Sequence, residues 1–347
     1  MFSKLVGNGN IKSTLRHLVE NGRVPNSLLF AGPEGVGKRQ FALELARSFV
    51  CVSKDEVEAC GVCKACKRAE VFAFPTSEKG EDYDRVFFSE HPDVGSVIPF
   101  RRNVRINAIR ELEREANFRP YEAEARFFIV DDAEKMADPA ANALLKTLEE
   151  PPPTSYIFLI TSRADSLLPT IRSRCQTLRF APVETPEIET FLIGEKAFLP
   201  EEARLASRLS WGSIGRALSI DVTNFKQTRA AMFDVVRSAI ETGDIATMLK
   251  ASEFIADPKK KEDFEDTLST LESLIHDVWT IAVSGDSDRL VNADLINELS
   301  ALAAVCTPNA LTSWLAEAQL LRENLAVNIN KRVATDALFA SMASGRV

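Results

Sequence analysis

Three groups of residues in this 347-residue chain have types and spacings suited to chemistry. The first lies in the stretch Leu28-Leu-Phe-Ala-Gly-Pro-Glu-Gly-Val-Gly-Lys-Arg39. Gly32, Gly37 and Lys38 sit as in G-x-x-x-x-G-K-[ST], the phosphate-binding loop, with Gly35 between them. Glycines let backbone N–H groups wrap a phosphate, a helix N-terminus adds its positive end, and the lysine supplies a full charge. The last position breaks the pattern. Arg39 stands where a Ser or Thr hydroxyl would ligate Mg²⁺, and a guanidinium has no lone pair for a metal. Such a loop is suited to holding phosphate and poorly built to hydrolyse it. The second group is Cys51, Cys60, Cys63 and Cys66, spaced C-x8-C-x2-C-x2-C, enough thiolates for a closed tetrahedral site. Zinc is the usual occupant of such a site. An iron–sulfur cluster also takes four cysteines, but a compact knuckle beside a phosphate-loop helix favours zinc. The third is Asp131-Asp132, two carboxylates closing the apolar run Phe127-Phe-Ile-Val. Asp131 is placed to hold Mg²⁺, directly or through water.

These groups need elements to position them. Leu28 to Ala31 reads as a buried strand, and Phe41, Ala42, Leu45, Ala46 and Phe49 recur at helical spacing behind the loop. Residues 5–20 carry a helical pattern. Further strands are expected near Asp93 to Ile98, at Phe127 to Val130, at Tyr156 to Ile160 ending on Thr161, and at Leu178 to Phe180. Continuous apolar runs of this kind mark parallel strands buried on both faces. Carboxylates at the end of one such strand would face the phosphate loop. Between them, Ile106, Ile109 and Leu112 mark an amphipathic helix, its start carrying Arg101, Arg102 and Arg105. A second helix of about a dozen residues is bracketed by Asp138-Pro139 and Pro151. Strands alternating with helices imply a doubly wound parallel α/β core. The acidic stretch 71–90 reads as a surface excursion of unassigned role. Beyond Pro182 strand signals stop: three short helical patterns fill 184–221, and 224 onward is helical, as in a bundle. The domain expectation is therefore 1–181, 182–223 and 224–347.

Composition sets outer limits. The hydrophobic share of 45% and charged share of 27% are those of a soluble globular protein. No apolar run approaches a membrane span and no signal peptide opens the chain, so the expected location is the cytoplasm, with no membrane partner. A net charge of −8 argues against wholesale coating of nucleic acid. In a reducing compartment the four clustered cysteines point to metal, whereas Cys175 and Cys306 read as packing residues. His17, His91 and His276 are scattered.

Together these residues resemble the bacterial clamp-loader family within the AAA+ ATPases. The pieces that carry the resemblance are Ala140-Ala-Asn-Ala-Leu-Leu-Lys-Thr-Leu-Glu-Glu-Pro-Pro152, the cysteine knuckle after the phosphate-loop helix, and Ser173-Arg174-Cys175. It implies an AAA+ P-loop module with a parallel sheet, a small helical lid and an all-α C-terminal collar that joins partner subunits. It also implies that Arg174 acts in trans as an arginine finger on ATP bound by a neighbour. Gly7-Asn8 is similar to the family's adenine-side contact, and Thr161 falls at the position called sensor 1. The ATP-hydrolysing gamma/tau type has Thr after Gly-Lys, an Asp-Glu pair on the acidic strand, and Arg in Gly-Ser-x-Arg. This chain has Arg39, Asp131-Asp132, and Arg216 one residue late in Gly212-Ser-Ile-Gly-Arg, about 100° round a helix. Those departures resemble the delta-prime type, whose own ATP or ADP site is degenerate while the finger is kept. Implied partners are the gamma/tau and delta subunits, the sliding clamp, and primer–template DNA through backbone phosphates.

Overall fold

A computed structural model of the chain describes residues 2–53, 57–255, 264–285, 290–324 and 330–344. The chain divides into two compact units, Met1–Ala203 with Ser210–Ser219, and Arg204–Leu209 with Ile220–Val347.

The first unit is built on a six-stranded sheet: β1 (Ser27–Ala31), β2 (Phe87–Phe88), β3 (Val94–Val97), β4 (Arg126–Val130), β5 (Ser155–Thr161) and β6 (Gln176–Arg179), in the order β2-β3-β4-β5-β1-β6. All neighbours are parallel except β2 against β3. The two-residue antiparallel edge is the one strand missed by sequence reasoning, because two residues are too few to show a period. Every residue of β1 and β4 is buried, which explains their unbroken apolar runs.

Alternate side chains go to opposite faces. On one face Leu29, Phe128, Val130, Ile157 and Leu159 meet Ile109 and Leu112 of the helix Ile106–Ala116 and Leu144 and Leu148 of the helix Asp138–Glu149. The other face is aromatic. Phe30 packs edge-on against Phe158 at 5.7 Å between ring centroids, and Phe41 against Phe180 at 5.0 Å. Phe41 belongs to the helix Lys38–Val50, so these rings seat the phosphate-loop helix on the sheet. The helix bracketed by Asp138-Pro139 has the expected bounds, with proline at its first turn, where a missing N–H costs nothing. The short helices Thr185–Lys196 and Ile214–Ser219 also belong to this unit.

Every described element of the second unit is a helix. The 21-residue helix Phe264–Ser284 buries Leu268, Leu271, Leu274, Ile275 and Val278 at spacings of three and four. They pack with Val236, Leu311, Trp314, Leu338 and Phe339 from the surrounding helices. Asp277 is also buried there, its carboxylate accepting from the backbone N–H groups of Val291 (3.0 Å) and Asn292 (2.7 Å). Burial raises its pKa. The chemistry-bearing residues lie in the first unit.

Candidate functional site

Because β1, β5 and β4 are adjacent and parallel, their carboxyl ends align. Ala31 lies opposite Thr161, and Val130 opposite Leu159. The loop after β1 and the acids after β4 therefore share one edge of the sheet, where open α/β sheets form their crevices. A cleft of about 660 Å³ opens there, lined by Gly35, Gly37, Lys38 and Arg39 among others. Gly37 caps the helix Lys38–Val50 with φ of 93°, a conformation that favours glycine. Gly35 has φ of 73°, and a Cβ on it would overlap the Ser213 hydroxyl. The Gly215 amide donates to the Gly35 carbonyl at 2.9 Å, so the start of the helix Ile214–Ser219 clamps the loop. Lys38 Nζ donates to the Gly32 and Pro33 carbonyls at 2.7 and 2.6 Å. Burial lowers its pKa against the pull of Glu134, Asp132 and Glu34.

Arg39 forms an ion pair with Asp131, and neither side chain is more than a third exposed. Its guanidinium also lies over the rings of Phe72 and Phe74, 5.4 and 5.0 Å from their centroids. Asp132 is left-handed at φ of 46° and pairs with Lys135 at 2.8 Å. These residues do not fit Mg²⁺. The carboxylate expected to take the metal is held by a guanidinium, and position 39 offers no oxygen. Asp131, expected to hold Mg²⁺, is paired with Arg39.

Thr161 is fully buried, its hydroxyl accepting from the Arg163 amide at 3.1 Å. Beside it sits a carboxylate that sequence reasoning missed. Glu134 accepts from the Ser162 amide at 3.1 Å and from the Ser162 hydroxyl. Burial pushes the Glu134 pKa up, but hydrogen bonds from Ser162 and Thr161 outweigh it and leave it lowered. Its sequence signal is the acidic run Asp131-Asp132-Ala133-Glu134, in which Glu134 lies past the end of the strand.

Gly7, Asn8 and Arg216 are not among the residues that line the cleft. Gly7 packs against Val183, and the Asn8 side chain bonds both backbone groups of Ala181: it accepts from the amide at 2.8 Å and donates to the carbonyl at 3.1 Å. Asn8 thus staples the N-terminal segment to the chain after β6, while Leu5 and Val6 line the cleft. Arg216 is exposed and is not among the lining residues; Ile214, Gly215 and Leu218 are. The residue against the loop is Gly215, whose amide bonds Gly35.

The four cysteines converge. Cys51 ends the phosphate-loop helix, Cys66 lies in the helix Lys64–Glu70, and the four sulfurs are within 4.8 Å of one another. The amides of Cys60, Cys63 and Cys66 donate to the sulfurs of Cys51, Cys60 and Cys63 at 3.3–3.4 Å. Burial opposes ionisation of Cys63, yet backbone N–H donors from Cys66 and Val52 bring it down to about 6. Burial pushes Cys66 up to about 12. This donor set fits a metal ion bound by four sulfurs. Cys175, by contrast, is buried in the sheet core and pushed up to about 12, an inert packing thiol.

Arg174 lies between the one-turn helix Pro169–Arg172 and β6, at the amino end of that strand. The phosphate loop leaves the carboxyl end of the neighbouring parallel β1, so the two are separated by the length of a strand, about 13 Å. Arg174 is about a third exposed (32%). It is held by Glu149 Oε1 at 2.5 Å and by the Thr170 carbonyl at 2.9 Å. Glu149 ends the helix Asp138–Glu149, a link that no local spacing announces.

Residues 7–184 match the family described as DNA polymerase III, delta subunit. The chain is similar to DNA polymerase III subunit delta' of Bacillus subtilis (28% identity, 96% of each chain) and of Escherichia coli (28%, covering 88% of this chain and 84% of the relative). It is also similar to subunit gamma/tau of Mycobacterium tuberculosis, at 33% identity over 50% of this chain and 27% of that one. The half-chain match through phosphate loop, cysteine cluster and Arg174, with delta' likeness over most of its length, places this chain in the DNA polymerase III delta subunit family.

Proposed function

We propose that the chain is a delta-prime-type subunit of a clamp loader, a stator that holds its place in a ring of subunits and completes a neighbour's ATP site. The observation that carries this reading is the placement of Arg174: part exposed, fixed by Glu149, and at the opposite end of the sheet from its own phosphate loop. It cannot reach that loop in cis. A guanidinium presented outward suits the developing charge on a γ-phosphate bound by another subunit. The Arg39–Asp131 pair supports the other half of the reading, since a loop without a metal-binding oxygen is retained as architecture. ATP or ADP, where bound, is held weakly.

The four-sulfur cluster is assigned a structural zinc, which ties the end of the helix Lys38–Val50 to the helix Lys64–Glu70. Residues 182–223 act as a lid and 224–347 as the collar that meets gamma/tau and delta subunits. The sliding clamp and primer–template DNA are met in the assembled complex, DNA through its backbone phosphates, and the setting is the cytoplasm. Among the described residues no helix is long and apolar enough to cross a membrane.

The test is a loader reconstituted with Arg174→Ala. Hydrolysis stimulated by clamp and primed DNA falls at the adjacent ATP site, while the complex still assembles. Unchanged hydrolysis leaves a scaffold without a nucleotide role.

A further inference from the structure

The acidic excursion 71–90 folds back on itself beside the phosphate loop. Phe72 pairs with Ser89 across an antiparallel bridge, and the Glu90 amide donates to the Val71 carbonyl at 2.9 Å. Tyr83 closes the far end, its hydroxyl donating to the Pro75 carbonyl at 3.0 Å, and Asp84 takes Arg105 at 2.7 Å. This return presents Phe72 and Phe74 as a stacked pair, 5.3 Å apart and within 3° of parallel. Arg39 lies over both rings and completes its charge balance on Asp131.

The guanidinium is thus held by three groups from two distant segments. A dissociable divalent cation at the end of β4 would carry two charges and need oxygen ligands. Here a permanent single charge occupies the carboxylate instead, and aromatic faces hold it there by the attraction of their quadrupoles. Lys38 lines the cleft with the Gly35 and Gly37 backbone beside it, while the Arg39 charge is balanced by Asp131.

We propose that the caged Arg39 guanidinium replaces the divalent cation at this loop and makes it a metal-independent site for a nucleoside polyphosphate. The proposal rests on reading the loop as a retained phosphate site without hydrolysis. It assigns the 71–90 excursion the task of holding the resident cation.

The experiment is titration of the full chain with ADP, once with excess Mg²⁺ and once with EDTA. For the unaltered chain the two dissociation constants agree within about twofold. Arg39→Thr frees Asp131 and supplies a hydroxyl, so ADP binds at least about tenfold more tightly with Mg²⁺ than with EDTA. With Mn²⁺ in place of Mg²⁺, the Arg39→Thr chain with ADP shows bound manganese by electron paramagnetic resonance and the unaltered chain shows none. Arg39→Lys keeps a cation and stays indifferent to metal, which serves if the threonine variant fails to fold. Mg²⁺-dependent binding by the unaltered chain, a bound-manganese signal from it, or no ADP binding by it overturns the proposal. Loss of the Arg174 effect in the reconstituted loader, with ADP binding still metal-independent, removes the trans reading alone. A metal-dependent loop with the Arg174 effect intact removes this inference alone.

Discussion

Removing one partner of the Arg39–Asp131 pair leaves the other charge in a partly buried place with nothing to balance it. Arg39 is 29% exposed and Asp131 18%, so water screens the pair only in part. Breaking a fully buried pair costs about 3–5 kcal/mol, and exposed pairs contribute about 0–1 kcal/mol. Asp131→Asn should fall between them, at about 2 kcal/mol. Arg39→Met removes the cation together with its aromatic contacts, each of the order of 0.5–1 kcal/mol, and leaves the carboxylate bare. The double variant has neither orphan. Its destabilisation should be smaller than the sum of the singles, with a coupling of about 1–2 kcal/mol from the double-mutant cycle. The assay is urea unfolding of the isolated chain, where m-values must stay constant for the comparison to hold. Phe72→Ala with Phe74→Ala in the Asp131→Asn background separates the aromatic share. A coupling below about 0.3 kcal/mol would mean that the two residues act independently, since independent sites add within about that margin.

Two further outcomes follow from the first unit. Purified chain should hold one metal ion per molecule, and Cys63→Ser should lower that content and destabilise the fold by at least about 2 kcal/mol, read by metal analysis and thermal melting, because metal-binding energy is folding energy. Glu134, whose pKa is lowered by the Ser162 and Thr161 hydrogen bonds, contributes stability that is complete above the ordinary glutamate value of about 4.3. That contribution is lost as pH falls through its lower native value, so the stability of Glu134→Gln should decline less steeply than that of the unaltered chain between about pH 5 and 3.

What the sequence made legible was whatever is encoded locally. The strands β1, β4 and β5 stand out because burial on both faces demands unbroken apolar runs. The cysteine cluster stands out because its donors fall within sixteen positions. The displacement of Arg216 followed from counting residues round a helix, and the cleft is lined by Gly215 where that count leaves a gap. Contacts between distant segments were not legible. Nothing in the composition of 71–90 says that Phe72 and Phe74 lie on Arg39, more than thirty residues earlier. Asn8 was matched to a nucleotide contact by its neighbours in sequence, but its amide is committed to Ala181, 173 residues away. Arg105 precedes the helix Ile106–Ala116 and is paired with Asp84, a contact with a segment more than twenty positions earlier. Glu149 was visible as part of the helix ending at Pro151, yet its role in fixing Arg174 needs the fold.

Arg174 sits at the strand end remote from its own phosphate loop. Single-turnover hydrolysis at the adjacent ATP site tests its action in trans most directly, with loaders reconstituted from the unaltered chain, from Arg174→Lys and from Arg174→Ala. Alanine should lose about 10³-fold, within the range of arginine fingers, and lysine should also lose heavily because it keeps the charge without the planar fork. Rates for all three loaders within about twofold of one another, with clamp and primed DNA present, would contradict that action.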